Sequence, residues 1–347
     1  MTFVDTSGEP RGFDWDGRSL HVLDQTALPH VERWVRVDGP AVLLEAIGAL
    51  RVRGAPLLGV LAARMLAMEA GRGAADWEAL AVALRGARPT AVNLMHAVDR
   101  MRAARAAGRP LGAEADAVAA EDAAACARIA VAGAAALADG DGVLTVCHTG
   151  ALATAGVGTA LGAIRAAVHG AGKRIFVWVC ETRPLLQGAR LTGWELSRLG
   201  VPWALLADGA AASLLLGGRV QRVMVGADRI ARNGDFANKT GTLAVAAAAR
   251  LGGVPVDVLA PWTTVDPHCV DGQAIPIEQR GAAEVEGVAG AAGALRWAAA
   301  GGGVYNPAFD VTPGGWVRRL VTDRGVWAGP ALADGAWLDQ GGSTGTP

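Results

Sequence analysis

Two residues in the second half of the chain have side chains suited to proton transfer, and each follows a short apolar run. Cys147 comes directly after residues 143–146, and Asp228 follows residues 222–225. A thiol at the start of a helix has a lowered pKa, and a carboxyl group between apolar walls keeps its proton and acts as an acid. The plain alternatives are a buried structural cysteine and an aspartate that caps a helix or pairs with Arg229.

Basic side chains occur where a small anion would be held. Lys239 stands at the start of a predicted helix, where a cation is disfavoured unless an anion lies in front of it. Arg53 and Arg88 each precede a predicted helix, and the small residues Gly54 and Ala55 allow a ligand to approach the backbone. Together these residues suit a phosphate monoester. The sequence has no G-x-G-x-x-G fingerprint after a strand and no G-K-[ST] loop, which argues against a dinucleotide or a nucleoside triphosphate.

Two further arginines, Arg183 and Arg190, lie near Glu181 after a predicted strand. They would form either a forked anion clamp or a structural ion pair, and we favour the ion pair. His148 is expected at the surface or behind the site rather than as a catalyst, and Asp208 is expected to cap a helix.

The elements that position these residues follow from the change of hydrophobic period after residue 142. Short β-rich runs alternate there with helical stretches, which predicts a parallel, doubly wound sheet with right-handed crossovers. Ligands bind beyond the carboxyl ends of such strands, so the residues that follow the strands are the site candidates. The predicted strands are 143–146, 174–179, 203–206, 222–225 and 254–259, and the predicted helices are 151–168, 188–199, 210–216 and 239–251.

The first part of the chain predicts mostly helices. Weak alternation over 20–37 favours strands, and the turn-rich residues 139–142 suit a domain junction. We therefore expect a mostly helical N-terminal domain over 1–140, a second domain over 141–338 and a disordered tail over 339–347. The segment 287–303 is expected to form a helix and a loop. Helical patterns cover 40–51, 56–70, 76–85, 91–107 and 113–137.

Composition argues against several classes of protein. The 347 residues are 52% hydrophobic and 19% charged, so a buried core is expected. A net charge of -1 gives no general attraction to nucleic acid or to an anionic membrane. The Ala-rich window 115–137 carries charges that oppose membrane insertion, and the N-terminus shows no targeting pattern. Four cysteines without a C-x-x-C pair indicate neither a zinc site nor disulfides, and they fit a reducing cytoplasm.

Taken in order, the segments of this chain resemble the methylthioribose-1-phosphate isomerase family, relatives of the regulatory subunits of a translation-initiation nucleotide-exchange factor. The resemblance spans nearly the whole chain, and the joint order of its motifs makes it specific. The motifs are 23–26 (LDQT), 52–56 (VRGAP), 88–94 (RPTAVNL), 149–154 (TGALAT), 181–184 (ETRP), 187–192 (QGARLT), 225–230 (VGADRI), 233–235 (NGD), 237–239 (ANK), 275–278 (IPIE) and 306–313 (NPAFDVTP).

The resemblance implies a helical N-terminal domain with a small sheet, a Rossmann-like C-terminal domain, a homodimer, and no metal or nucleotide cofactor. It also implies conversion of 5-methylthioribose 1-phosphate to 5-methylthioribulose 1-phosphate in methionine salvage. Asp228 would be the proton donor and Cys147 would assist the transition state. The implied substrate-binding residues are Arg53, Gly54, Ala55, Arg88, Gln187, Asn238 and Lys239.

Two departures from the family pattern leave alternatives open. The family usually reads Thr-His-Cys-Asn where this chain has Val146 and His148 around the cysteine, and Gly209 and Ala210 replace a polar residue and a Met after Asp208. One alternative is an isomerase of another pentose 1-phosphate, such as 5-deoxyribose 1-phosphate or ribose 1,5-bisphosphate. The other is a non-catalytic regulatory subunit that senses a sugar phosphate or a nucleotide. Hydrogen transfer through Cys147 and a direct hydride shift both remain open.

Overall fold

The N-terminal part of the protein is built from helices beside a small antiparallel sheet. The computed structural model describes residues 9–290, 293–299 and 301–339. The strands of the small sheet are β1 (Phe13–Trp15), β2 (Leu20–Leu23) and β3 (Trp34–Arg36). The helices that follow are α1 (Pro40–Gly48), α2 (Ala55–Gly71), α3 (Trp77–Gly86), α4 (Val92–Ala106) and α5 (Leu111–Ala134).

Helix α2 is the centre of this N-terminal part. Pro56 occupies its first turn, where the missing N–H costs nothing, and Gly54 precedes it. Leu57, Leu61 and Met65 recur at a spacing of four and are fully buried with the side chains of the neighbouring helices. The prediction of a mostly helical segment is confirmed.

After residue 141 the chain alternates between strands and helices, as predicted. The strands are β4 (Gly142–Thr145), β5 (Phe176–Cys180), β6 (Trp203–Leu206), β7 (Arg222–Val225), β8 (Arg229–Ile230), β9 (Phe236–Lys239), β10 (Val256–Leu259), β11 (Gly287–Gly290), β12 (Gly293–Arg296), β13 (Phe309–Thr312), β14 (Arg319–Thr322) and β15 (Gly325–Ala328). The helices are α6 (Ala160–Arg165), α7 (Gly193–Arg198), α8 (Ala211–Leu216), α9 (Thr242–Leu251) and α10 (Ala283–Glu286).

The main sheet is seven-stranded in the described part of the chain, with the order β6-β5-β4-β7-β10-β14-β15. All neighbours are parallel except β14 and β15. The chain runs outward from β4 through β5 and β6, and then returns to the other side of β4 at β7. The order therefore reverses between β4 and β7, which is where open α/β sheets form their ligand crevice.

Helices cover both faces of this sheet. Ile129 of α5, Ile164 of α6 and Leu196 of α7 pack on one face. Leu215 of α8 and Val245 of α9 pack on the other face. Since both faces are covered, the strands are mostly apolar, as is typical of parallel sheets. The buried charged exceptions Asp257 of β10 and Arg319 of β14 pair with each other at 2.6 Å.

A second, antiparallel sheet in the order β13-β9-β8 stands beside the crevice. Lys239 ends β9 and lies opposite Phe309, while α9 begins at Thr242. The prediction that Lys239 starts a helix is therefore wrong. The pairing of β9 with the distant strand β13 gave no local signal in the sequence.

Two other predictions of helix are also wrong. A short 3-10 turn occupies Ala151–Ala153, and α6 begins at Ala160 rather than at residue 151. Strands β11 and β12 form a hairpin where residues 287–303 were expected to be a helix and a loop. The tail was expected to begin at residue 339, but Asp339 ends the 3-10 turn Ala336–Asp339, and 340–347 lie outside the described residues.

In the described part of the chain, none of the helices combines the length and the apolar character needed to cross a bilayer.

Candidate functional site

The nine predicted site residues meet at the carboxyl ends of β4 and β7. Two small cavities, each of about 40 Å³, share Arg53, Gly54, Ala55, Cys147 and Asp228 as lining residues. The other predicted residues complete the walls: Arg88, Gln187 and Lys239 line one cavity, and Asn238 lines the other. The crevice expected at the reversal of strand order therefore holds all of them.

Cys147 occupies a tight turn just beyond β4. Its backbone has φ of 66°, in the left-handed region that residues other than glycine rarely adopt. The Cys147 N–H donates to Thr182 Oγ1 at 2.9 Å, and its carbonyl accepts from Thr192 Oγ1 at 2.6 Å. The expected helix N-terminus beside the thiol is absent, because α6 starts later. The positive group near Sγ is instead the guanidinium of Arg53, with Nη2 at 3.8 Å.

Asp228 lies beyond β7 and is only partly exposed. Burial raises the pKa of its carboxyl above the usual value, and the positive charges of Lys239, Arg53 and Arg88 oppose that rise. The alternative pairing with Arg229 is wrong, since Arg229 Nη1 lies 3.3 Å from Asp266 Oδ2. A carboxyl group that resists ionisation is suited to donate a proton.

Lys239 is a buried cation in the wall of the cavity. Its Nζ donates to the Ala308 carbonyl at 2.9 Å and lies 4.2 Å from the centroid of the Phe309 ring. Burial lowers the pKa of Lys239, while the nearby Cys147 and Asp228 oppose the change. These contacts hold the ammonium beside the cavity, where an anion would stabilise its charge.

The turn before α2 brings Arg53 to the same cavity. Gly54 has φ of 98°, and a Cβ on it would lie 2.6 Å from the Cα of Ala153, so only glycine fits there. Arg53 Nη2 donates to the His148 carbonyl at 3.2 Å. Nη1 of Arg53 and Oε1 of Gln187 are buried without a hydrogen-bond partner in the described structure. Such atoms are rare in native proteins, which points to a ligand that completes them.

The remaining two polar residues are held at the edge of the site. Arg88 Nε lies 3.4 Å from Glu278 Oε2, and burial lowers the pKa of the Arg88 guanidinium. Asn238 Nδ2 donates to Thr242 Oγ1 at 3.0 Å.

The arginines that follow β5 have a structural role. Arg190 Nη2 donates to the carbonyls of Gln25 and Thr26 at 2.8 Å each, and Arg183 Nη2 donates to the Glu284 carbonyl at 3.1 Å. Both the anion clamp and the favoured ion pair with Glu181 are therefore wrong, because these arginines bind backbone carbonyls.

Asp208 holds the same segment from the other side. Its carboxylate accepts from the N–H groups of Thr182 and Arg183 at 2.8 and 2.7 Å. The prediction that Asp208 caps the next helix is therefore wrong, because its carboxylate binds the turn after β5. Gly209 and Ala210 do not line either small cavity.

Sequence reasoning missed the buried residues behind Cys147. His148 lies 3.1 Å through Nε2 from Glu195 Oε2 and 3.2 Å through Nδ1 from Thr192 Oγ1. His148 was expected at the surface or behind the site, and it is buried behind the site. Thr192 ends the motif 187–192 but was given no role, and Glu195 carried no signal, because only the fold brings these side chains to the cysteine.

A larger cavity of about 740 Å³ adjoins the site and shares Arg53, Gln187 and Arg280 with it. Within the described ranges, no group of three or more His, Cys, Asp or Glu side chains is arranged to hold a metal ion. Several cations around a thiol and a carboxyl group suit the binding of a phosphorylated sugar and the transfer of protons.

Known proteins with similar sequences agree with this chemistry. Residues 51–329 match the model of the initiation factor 2 subunit family. A methylthioribose-1-phosphate isomerase of Klebsiella pneumoniae subsp. pneumoniae is 54% identical over 329 residues, which cover 93% of this chain and 96% of that protein.

Solved structures share the fold over almost the whole chain. The crystal structure of 5-methylthioribose 1-phosphate isomerase from Pyrococcus horikoshii OT3 is 37% identical with a TM-score of 0.84, covering 95% of each chain. The translation initiation factor eIF-2B subunit delta from A. fulgidus is also 37% identical, with a TM-score of 0.80, covering 95% of this chain and 99% of that one. The chain therefore belongs to the methylthioribose-1-phosphate isomerase family, within the larger initiation factor 2 subunit family.

Proposed function

We propose that the protein is an aldose–ketose isomerase that converts 5-methylthioribose 1-phosphate to 5-methylthioribulose 1-phosphate, a step of methionine salvage. The observation that carries the proposal is the meeting of Cys147 and Asp228 with Arg53, Arg88 and Lys239 around one buried cavity. The 54% identical relative that bears the name of this activity supports the same conclusion.

Asp228 opens the sugar ring in the proposed mechanism. A furanose with phosphate on its anomeric carbon cannot open spontaneously as a free aldose does, so the ring oxygen needs a proton from an acid. Burial raises the pKa of Asp228, which favours the protonated carboxyl group that can donate. Arg53, Arg88 and Lys239 bind the phosphate and neutralise its negative charge.

Substrate binding completes the polar groups that lack partners. The phosphate oxygens accept from Arg53 Nη1, and a sugar hydroxyl donates to Gln187 Oε1; both are buried atoms of the site that lack a hydrogen-bond partner in the described structure. Asn238 and the backbone beside Gly54 and Ala55 complete the walls around the sugar.

Cys147 assists the transfer of hydrogen from C2 to C1. In one route its sulfur takes the C2 hydrogen as a proton and returns it to C1; in the other, the hydrogen moves directly from C2 to C1 as a hydride while the thiol lines the pocket. In both routes the C2 hydroxyl loses its proton to the Asp228 carboxylate, which forms the ketone and restores the acid. Substrate carrying deuterium at C2 separates the routes in ordinary water. Complete loss of the label excludes the hydride shift, and retention at C1 excludes full proton exchange.

A substrate panel tests the proposed function. Purified protein is incubated with 5-methylthioribose 1-phosphate, 5-deoxyribose 1-phosphate and ribose 1,5-bisphosphate, and the ketose products are measured by NMR. We expect the methylthio sugar to have the highest kcat/KM. Preference for another sugar would reassign the substrate, and inactivity on all three would favour a regulatory subunit that senses sugar phosphates or nucleotides.

We also propose the organisation that the resemblance implies. The N-terminal domain spans residues 1–140 and the Rossmann-like catalytic domain spans 141–338, a division supported by separate hydrophobic clusters around α2 and around the main sheet. We propose a cytoplasmic homodimer, supported by family membership and by a cysteine pattern without disulfides. Sedimentation at twice the 35.2 kDa chain mass would agree with the dimer, and sedimentation at the mass of one chain would reject it.

A further inference from the structure

The turn that carries Cys147 is held from behind by a buried polar cluster. Its members are Thr192, His148 and Glu195, whose side chains are almost completely shielded from solvent. None of them is among the nine residues that the sequence assigned to the site. Buried polar groups are retained only when they are satisfied, so each contact in the cluster constrains the others.

The backbone at Cys147 needs such support. A left-handed conformation at a residue other than glycine is unfavourable and persists only when the surroundings determine it fully. Thr182 Oγ1 fixes the Cys147 N–H at 2.9 Å, and Thr192 Oγ1 fixes its carbonyl at 2.6 Å. These two hydroxyl groups therefore set the direction in which Sγ leaves the turn.

Counting hydrogens fixes the direction of the bonds at Thr192. Thr192 has one hydroxyl hydrogen, which goes to the Cys147 carbonyl, so His148 Nδ1 must donate to Thr192 Oγ1 at 3.2 Å. His148 Nε2 and Glu195 Oε2 lie 3.1 Å apart, which is an ion-pair distance, although neither atom has a hydrogen-bond partner of good geometry in the described structure. Burial lowers the pKa of His148 and Glu195 opposes the change.

Glu195 also fixes the far end of the same turn. Its Oε1 accepts from the Ala151 N–H at 2.9 Å. A Cβ at position 150 would lie 2.3 Å from this oxygen, so Gly150 leaves the room that the carboxylate occupies. One side chain thus ties the imidazole of His148 to the end of the turn that begins at Cys147.

We propose that His148 and Glu195 are positioning residues that act through Thr192 to hold the Cys147 thiol towards the cavity. The inference rests on the proposed function only for the chemical role of the thiol. The position of His148, which departs from the usual family sequence, makes the cluster a property of this chain.

The test compares matched threonine variants. Thr192→Val removes the hydroxyl at nearly constant volume, and Thr192→Ser restores it. Thr145→Val is the control, because Thr145 Oγ1 is a buried hydroxyl close to the cysteine with no hydrogen-bond partner in the described structure. Two rates are measured: alkylation of Cys147 by iodoacetamide, followed by peptide mass spectrometry, and turnover of 5-methylthioribose 1-phosphate.

We expect Thr192→Val to lower both the alkylation rate and kcat at least about tenfold with KM within about twofold, corresponding to about 1.4 kcal/mol. Thr192→Ser and Thr145→Val should keep wild-type rates. Wild-type alkylation by Thr192→Val would overturn the inference. Absence of turnover by the wild type would instead reject the proposed function, while alkylation would still test the positioning.

A second measurement uses the unaltered protein and covers the case of a variant that does not fold. In protein labelled with ¹⁵N-histidine, the His148 signal is identified by its absence from His148→Gln. The hydrogen count predicts a protonated Nδ1 between pH 6 and pH 8. A ring protonated at Nε2 alone would overturn the inference.

Discussion

Two electrostatic effects of opposite sign act on the pKa of Asp228. Desolvation favours its neutral form, whereas Lys239, Arg53 and Arg88 favour the carboxylate, and desolvation is the larger effect. Its pKa is therefore raised although three cations surround it. A phosphate bound to these cations would weaken their opposing effect, so the carboxyl group would hold its proton more firmly in the substrate complex.

The raised pKa of Asp228 predicts a pH-dependent stability change in Asp228→Asn. At pH 8 the unfolded aspartate is ionised while the folded one resists ionisation, so the wild-type residue costs stability there; at about pH 3, well below the unfolded pKa, it is protonated in both states. We expect Asp228→Asn to unfold at a higher Tm than the wild type at pH 8, with the difference vanishing at about pH 3. A lower Tm at pH 8 would show that the carboxylate is held as an ionised partner of the cations.

The position of Lys239 in the candidate site predicts that inorganic phosphate stabilises the folded protein. The chain has two lysines, and only Lys239 lines the candidate site; Lys173 donates to the Leu137 carbonyl at 2.6 Å elsewhere. Phosphate should raise the Tm of the wild type, because a ligand that binds the folded state stabilises it. Lys239→Met should lose this rise in a thermal shift titration, and Lys173→Met should keep it. An unchanged rise in Lys239→Met would remove the lysine from the phosphate site.

At the scale of single residues, the sequence located Cys147 and Asp228 because residues after parallel strands gather at one edge of the sheet. The family motifs supplied Gln187 and Asn238. Glu195 was beyond reach, since its partner His148 lies on another element and no periodicity links them.

At the scale of elements, the turn before α2 determines whether Arg53 reaches the site. Gly54 permits this turn because its positive φ and its contact with the Ala151–Ala153 segment exclude a side chain. The N-terminal helices and the main sheet meet at this point. A small change of backbone here moves the guanidinium away from Cys147.

Gly54→Ala should therefore destabilise the protein and lower turnover. We expect a loss of about 1–3 kcal/mol in urea unfolding, from the strained φ and the clash with Ala153. Gly39→Ala is the control, because Gly39 precedes α1 with an extended backbone and open space around it. Equal stability of the two variants would mean that the turn adapts to a side chain.

Five of the parallel strands, β4, β5, β6, β7 and β10, could be predicted because each is a short, mostly apolar run between helices. The sixth parallel strand, β14, was not predicted. The sheet of β8, β9 and β13 could not be predicted, since its pairing joins segments that are distant in sequence. The hairpin of β11 and β12 was mistaken for a helix. Its Ala-rich and Gly-rich composition lacks the alternation of apolar and polar residues by which a strand is recognised.

At the scale of the whole molecule, α5 joins the two halves. Its residues Ile129 and Ala134, with Leu137 after it, belong to the hydrophobic cluster beneath the main sheet. Its earlier residue Ala115 belongs to the cluster around α2. The boundary predicted at residue 140 therefore follows a helix that packs in the hydrophobic cores of both halves.

This arrangement predicts how truncated chains behave. A fragment of residues 141–347 loses the α5 side chains that cover one face of the sheet, so its cooperative thermal transition should be lost or strongly lowered in circular dichroism. A fragment of residues 109–347 keeps α5 and should melt at a higher temperature. Equal melting of the two fragments would show that α5 contributes little to the core of the sheet.

The turnover of 5-methylthioribose 1-phosphate by wild type, Cys147→Ser and Asp228→Asn, followed by ³¹P NMR, tests the central claim most directly. Asp122→Asn is the matched control, because burial raises the pKa of Asp122 to about 6 although it lines neither small cavity. We predict conversion by the wild type and by Asp122→Asn, and rates lowered at least about 100-fold in the two site variants. Wild-type rates in Asp228→Asn, or no conversion by the wild type, would contradict the assignment.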